Sequence, residues 1–143
     1  MKNLLILHGP NLNLLGKREP EIYGELTLDE INQKLIAIGR DQGVDIRAVQ
    51  ANGEGALIDE LQSATLWADG VVFNPAGYSH TSIALRDAIT AIQIPVVEVH
   101  ISNIFSREEF RHKSLIAPVC IGSISGFGWR SYVFGIQALI SMT

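Results

Sequence analysis

Leu4-Leu-Ile-Leu7 sets four aliphatic side chains in succession with no polar residue between them. A strand with one face in water alternates apolar and polar residues, so an unbroken run needs burial on both faces. Parallel sheets with helices on either side meet that condition. Asn3 to His8 is therefore read as a first strand, stopped by Gly9-Pro10-Asn11. Val44 to Val49, Gly70 to Asn74, Pro95 to Val99 and Pro118 to Ile124 read as further strands. Between them, apolar residues recur at helical spacing: Leu28, Ile31, Leu35 and Ile38; Leu57, Leu61, Ala64 and Ala68; Leu85, Ala88 and Ile92; Tyr132, Ile136, Leu139 and Ile140.

Punctuation agrees with the periodicity. Thr27-Leu-Asp-Glu30 fits a capping box at the start of the first helix, and Gly43 suits its end. Asn52-Gly53 opens the second helix, the third runs from Thr81 to Gln93, and Gly126-Phe-Gly128 precedes the last. Strand and helix thus alternate throughout, which predicts an α/β fold. Its form is a flavodoxin-like three-layer sandwich, a five-stranded parallel sheet of order 2-1-3-4-5. Ligands of such sheets bind at the carboxyl ends of the strands. Residues 12–26 keep neither period and carry two glycines and a proline, so they read as a lid over that edge.

At 143 residues the chain is expected to form one domain, residues 1–143. A net charge of −4 argues against nucleic acid as a partner. No apolar run approaches the roughly 18–20 residues of a membrane span, and Leu4–Leu7 is too short for a signal peptide. Membrane association is therefore not expected, and a cytoplasmic location is. Cys120 is the only cysteine, so no internal disulfide forms, and it reads as a small buried hydrophobe.

The chemistry gathers after the fourth strand. Glu98 interrupts an apolar run, and His100 lies two residues on, so both project from one face. A carboxylate beside an imidazole fixes its tautomer and raises its basicity, as a general acid or base requires. Ser106-x-x-Glu109 fits a capping box, and the short helix it predicts sets Arg107 and Arg111 on one face. On this fold the strand ends also collect Asn11, Asn52, Asn74, His80 and Ser102, and the lid brings Arg18 and Tyr23 above them. Such a rim suits a small, oxygen-rich anion. His8, His80, His100 and His112 lack metal-ligand spacing, and Gly9-Pro-Asn-Leu-Asn-Leu is no phosphate loop, which disfavours a flavin module. A non-catalytic anion-binding module and a pure assembly protein are the competing readings.

Gly9-Pro-Asn-Leu-Asn-Leu-Leu-Gly16, Arg18-Glu-Pro-Glu-Ile-Tyr-Gly24, Asn74-Pro75, Tyr78-Ser-His-Thr-Ser82, Ala84-Leu-Arg-Asp-Ala88, Glu98-Val-His-Ile-Ser-Asn103 and Arg107-Glu-Glu-Phe-Arg111 closely resemble the type II 3-dehydroquinate dehydratases. The resemblance implies anti elimination of water from 3-dehydroquinate to give 3-dehydroshikimate, in the shikimate pathway. It also implies no cofactor and an assembly of twelve subunits built from trimers. Removing the proton beside the substrate ketone makes an enolate, and the C1 hydroxyl then leaves, so a base, an oxyanion partner and an acid are needed. By resemblance Tyr23 is the base and His100 the acid, Glu98 orients His100, and Asn11 holds a water against the enolate oxygen. A tyrosine of pKa near 10 is only about 0.1% phenolate at pH 7, and Arg18 is the charge expected to lower it. Asn74, Ile101 and Ser102 match the carboxylate site, His80 and Arg111 the ring-hydroxyl contacts, and Arg107 a rim arginine. Asp87 matches an acid that reaches a neighbouring subunit's site. Departures from the family pattern fall at His8, Gly53, Ala76-Gly77 and Lys113, away from the implied base and acid.

Overall fold

The computed structural model describes residues 1–142. Five parallel strands run in the order β2-β1-β3-β4-β5: β1 Asn3–His8, β2 Asp45–Gln50, β3 Gly70–Asn74, β4 Val96–His100 and β5 Gly122–Ser125. The helices are α1 Pro20–Tyr23, α2 Leu28–Asp41, α3 Glu54–Ala64, α4 Ile83–Ile92 and α5 Arg130–Ile140. The strand order is the one the alternation predicts.

Leu4 and Ile6 face one helical layer with Leu28, Ile31 and Leu35 of α2 and Tyr132, Ile136 and Leu139 of α5. Leu5 and Leu7 face the other, with Leu57 and Leu61 of α3 and Leu85, Ala88 and Ile92 of α4. All four residues of the Leu4–Leu7 run are inaccessible to solvent. Burying each such side chain contributes roughly 1.5–3 kcal/mol, so the run fixes β1 as an interior strand, paired by β2 on one side and β3 on the other. No helix among the described residues is long and apolar enough to cross a membrane.

Thr27 and Glu30 form the reciprocal capping box at α2, and Ser82 caps α4 by accepting from the Leu85 amide. That cap starts α4 at Ile83, later than the predicted Thr81. Ile38 and Ile140 are only half-buried, at the margins of their helical faces.

Three local expectations fail for identifiable reasons. The fifth strand is not Pro118–Ile124: Ala117–Val119 is a 3-10 turn, and only Gly122–Ser125 pairs with β4. Proline has no amide hydrogen for a ladder, and the strand that forms is an edge with little apolar content. Cys120 consequently lies in a connector, half-buried, where burial raises its thiol pKa to about 12. No helix is capped by Ser106. Asn103 instead accepts from the Phe105 amide and caps a 3-10 turn at Ile104–Ser106, Arg107 is extended, and a second turn follows at Glu109–Arg111. The imidazole Nε2 of His112 bonds the Arg107 carbonyl at 3.0 Å, occupying an acceptor that helix would use. Finally, the lid is not structureless, holding a 3-10 turn at Leu12–Leu14 and the single turn α1.

Candidate active site

A cavity of about 110 Å³ opens at the carboxyl ends of β1, β3 and β4. Ten of the residues singled out from the sequence line it: Asn11, Arg18, Tyr23, Asn74, His80, His100, Ile101, Ser102, Arg107 and Arg111. Two do not. Glu98 lies behind His100 with no solvent exposure, and Asp87 is exposed on α4, outside this chain's cavity. Asn52 is also outside it, and braces the rim by accepting from the Asn11 amide at 3.0 Å.

The floor is rigid because the sheet makes it. Gly9 donates its amide to the Asn74 carbonyl at 2.7 Å, tying the ends of β1 and β3 together. A Cβ on Gly9 would lie 2.8 Å from both the carbonyl carbon and oxygen of Pro75, so only glycine permits that approach. Asn74 is 3% exposed, and its side-chain oxygen accepts from the Ala76 amide at 3.0 Å. Ala76 itself is left-handed, with φ +52°, in the turn that holds this bond.

The back wall is the Glu98–His100 pair. His100 Nε2 lies 2.6 Å from Glu98 Oε2, and the other carboxylate oxygen accepts from the Ser114 hydroxyl at 2.7 Å. An ionised carboxylate only accepts, so Nε2 carries the hydrogen. Nδ1 is then the nitrogen left for a ligand in the cavity. Protonating it gives an imidazolium whose second N–H stays on Glu98, a charge-assisted bond inside the protein.

The lid supplies the opposite wall. Arg18 holds its guanidinium carbon 4.7 Å from the centre of the Tyr23 ring. Arg107, which the sequence placed only at the rim, reaches further in. Its Nη1 donates to the Tyr23 hydroxyl and to the Ser102 hydroxyl, each at 3.1 Å. Two cations therefore attend one phenol. No local spacing predicts that contact, because Tyr23 and Arg107 are 84 residues apart in sequence. Arg111 donates to Glu108 at 3.1 Å, which leaves its charge beside His80. Partial burial and then the Arg111 and His100 charges hold the His80 pKa below its ordinary value.

Beneath the floor lies a polar chain that the sequence reading missed. His8, Tyr132 and Asn74 are all buried and bonded in series, with Asn32 at the outer end. The only signal in the sequence was a histidine ending an otherwise aliphatic strand.

The chain matches the family described as dehydroquinase class II over residues 2–140. It is 57% identical over 138 residues to the 3-dehydroquinate dehydratase of Geotalea daltonii, covering 96% of each chain. It is 55% identical to that of Acaryochloris marina, covering 96% of this chain and 93% of that one. Among solved structures, the type II dehydroquinase from Butyrivibrio crossotus superposes with a TM-score of 0.95 at 41% identity, over 97% of both chains.

Proposed function

From the premise that this chain belongs to the class II dehydroquinase family and dehydrates 3-dehydroquinate, we propose how its residues divide the work. Tyr23, as phenolate, removes the proton beside the substrate ketone. The positive charges of Arg18, 4.7 Å from the Tyr23 ring centre, and of Arg107, 3.1 Å from its hydroxyl, favour that phenolate. The electrons pass to the ketone oxygen, giving an enolate, and Asn11 holds a water against that oxygen. His100, doubly protonated, gives the Nδ1 hydrogen to the departing C1 hydroxyl. The enolate collapses with loss of water, leaving the conjugated enone of 3-dehydroshikimate. The proton taken by Tyr23 and the one given by His100 are then exchanged with solvent.

The rest of the rim positions the ring. Asn74, the Ile101 and Ser102 amides and the Ser102 hydroxyl take the substrate carboxylate, while His80 and Arg111 take ring hydroxyls. Ser102 bonds Arg107 before substrate arrives, so carboxylate binding and phenol activation share one arginine. The steps use only proton donors and acceptors of the chain, with no cofactor. The sheet, its helices and the lid at about residues 12–26 act as one catalytic domain. Self-association to a dodecamer of trimers brings the exposed Asp87 to a neighbouring site. The shikimate route and the cytoplasm complete the reading.

One observation carries it: a phenol bonded by a guanidinium, across a cavity from an imidazole propped by a buried carboxylate. The test mixes the protein with 3-dehydroquinate and follows the ultraviolet band of the enone. Tyr23→Phe should lower kcat at least about a hundredfold, the usual worth of a general base, with KM little changed. A Tyr23→Phe enzyme near the wild-type rate removes Tyr23 from the role of base.

A further inference from the structure

Asn74 lines the cavity, and its side-chain amide is held at both ends: the oxygen accepts from the Ala76 amide and the nitrogen donates to Tyr132. Asn32 Oδ1 lies 2.8 Å from His8 Nε2. A side-chain carbonyl oxygen only accepts, so Nε2 carries the His8 hydrogen and Nδ1 is a bare acceptor. The Tyr132 hydroxyl, 2.8 Å from Nδ1, must then donate to it. Its oxygen is thereby left to accept, and Asn74 Nδ2 donates to it at 3.0 Å. Every hydrogen in the series has one permitted direction. The amide of Asn74 has two hydrogens on Nδ2: one is committed to Tyr132, and the second remains for the cavity.

We propose that His8, acting through Tyr132, is a positioning residue for the anion subsite: it holds the Asn74 amide with its free N–H toward the substrate carboxylate. This rests on the reading of Asn74 as a carboxylate contact. His8 touches no substrate and has no solvent exposure, yet it sets the polarity of the bond that ends at the site. Remove the Nδ1 acceptor and the Tyr132 hydroxyl is free to turn its hydrogen toward Asn74. Two donors then oppose each other, and Asn74 withdraws from one of them. Glutamine can replace His8 in function, because its amide offers an acceptor and a donor about as far apart as the two ring nitrogens.

The experiment measures kcat and KM for 3-dehydroquinate at pH 7 in five proteins: wild type, His8→Leu, His8→Gln, Tyr132→Phe and Asn74→Ala. Circular dichroism and gel filtration establish folding. Tyr132→Phe loses only a hydroxyl and keeps the test available where His8→Leu does not fold. His8→Leu and Tyr132→Phe should raise KM about tenfold, the cost of roughly one hydrogen bond to a charged group, with kcat within about threefold. His8→Gln should keep KM within about twofold of wild type, which a role in packing alone would not predict. If Asn74→Ala raises KM and Tyr132→Phe does not, the relay is wrong and the carboxylate reading stands. If Asn74→Ala leaves KM unchanged, the carboxylate reading fails, and the relay with it. A fall in kcat with KM unmoved in Tyr132→Phe also overturns the positioning role.

Discussion

His8 should make the fold acid-sensitive in a window that exposed histidines do not share. Burial depresses its pKa from an ordinary 6.5 to about 4, against the smaller opposing effect of the Asn32 hydrogen bond. Asn32 on α2, Tyr132 on α5 and Asn74 at the end of β3 surround it, and none of them offers an opposite charge. The unfolded chain therefore binds a proton below pH 6.5 that the folded chain refuses until about pH 4. Stability contributed by neutral His8 is complete above pH 6.5, falls as the pH drops through that interval, and is gone below about 4. The difference between 6.5 and about 4, at about 1.4 kcal/mol per pH unit, comes to about 3.5 kcal/mol in full, of which about 3 is lost by pH 4. His8→Gln cannot take up the proton. Urea unfolding of the two proteins at equal concentration, between pH 7 and pH 4, isolates the effect because every other group is common. The variant should gain about 3 kcal/mol relative to wild type across the interval. Parallel curves would show that His8 is not held neutral by the fold, and the argument from its burial would be wrong.

Other tests address the wall, the floor and the lid's anchor. Glu98→Gln replaces an acceptor-only group with one that can donate, lets His100 take the other tautomer and removes the counter-charge of an imidazolium. kcat should fall by about 10²–10⁴ in the enone assay, and a change under threefold would show that Glu98 does not orient His100. Gly9→Ala forces its Cβ against the Pro75 backbone at 2.8 Å, which should cost about 1–3 kcal/mol in urea unfolding and raise KM. A neutral outcome on both would mean the β1–β3 junction yields more freely than its contacts imply. Thr27→Ala deletes the α2 cap and should cost about 1 kcal/mol by the same measurement, with kcat retained. Loss of activity without loss of stability would tie that cap to the lid instead.

The sheet could be read from the chain because burial on two faces leaves apolar runs in β1, β3 and β4. The lateral position of Glu98 and His100 was equally legible, since a period of two needs no tertiary information. β5 was displaced by several residues because an edge strand is paired on one side only, and Gly122-Ser123 leaves no apolar signature there. The turns near Arg107 were misread for a different reason: two caps competed, and Asn103 acted before Ser106 could. Arg107's reach to Tyr23 and the His8–Tyr132–Asn74 series depend on elements far apart in sequence. Residue type and spacing hold no record of such contacts.

The proposed base and acid differ in what supports them. His100 sits on a strand inside the sheet, with its carboxylate partner wholly enclosed, whereas α1, which carries Tyr23, buries no residue at all. A substitution around the imidazole is therefore judged first by whether the protein still folds. One around the phenol can be judged by catalysis alone. Laboratory variation aimed at altered rates or altered ligands consequently has its widest latitude in residues 17–25, where chemistry can be rewritten without disturbing the frame.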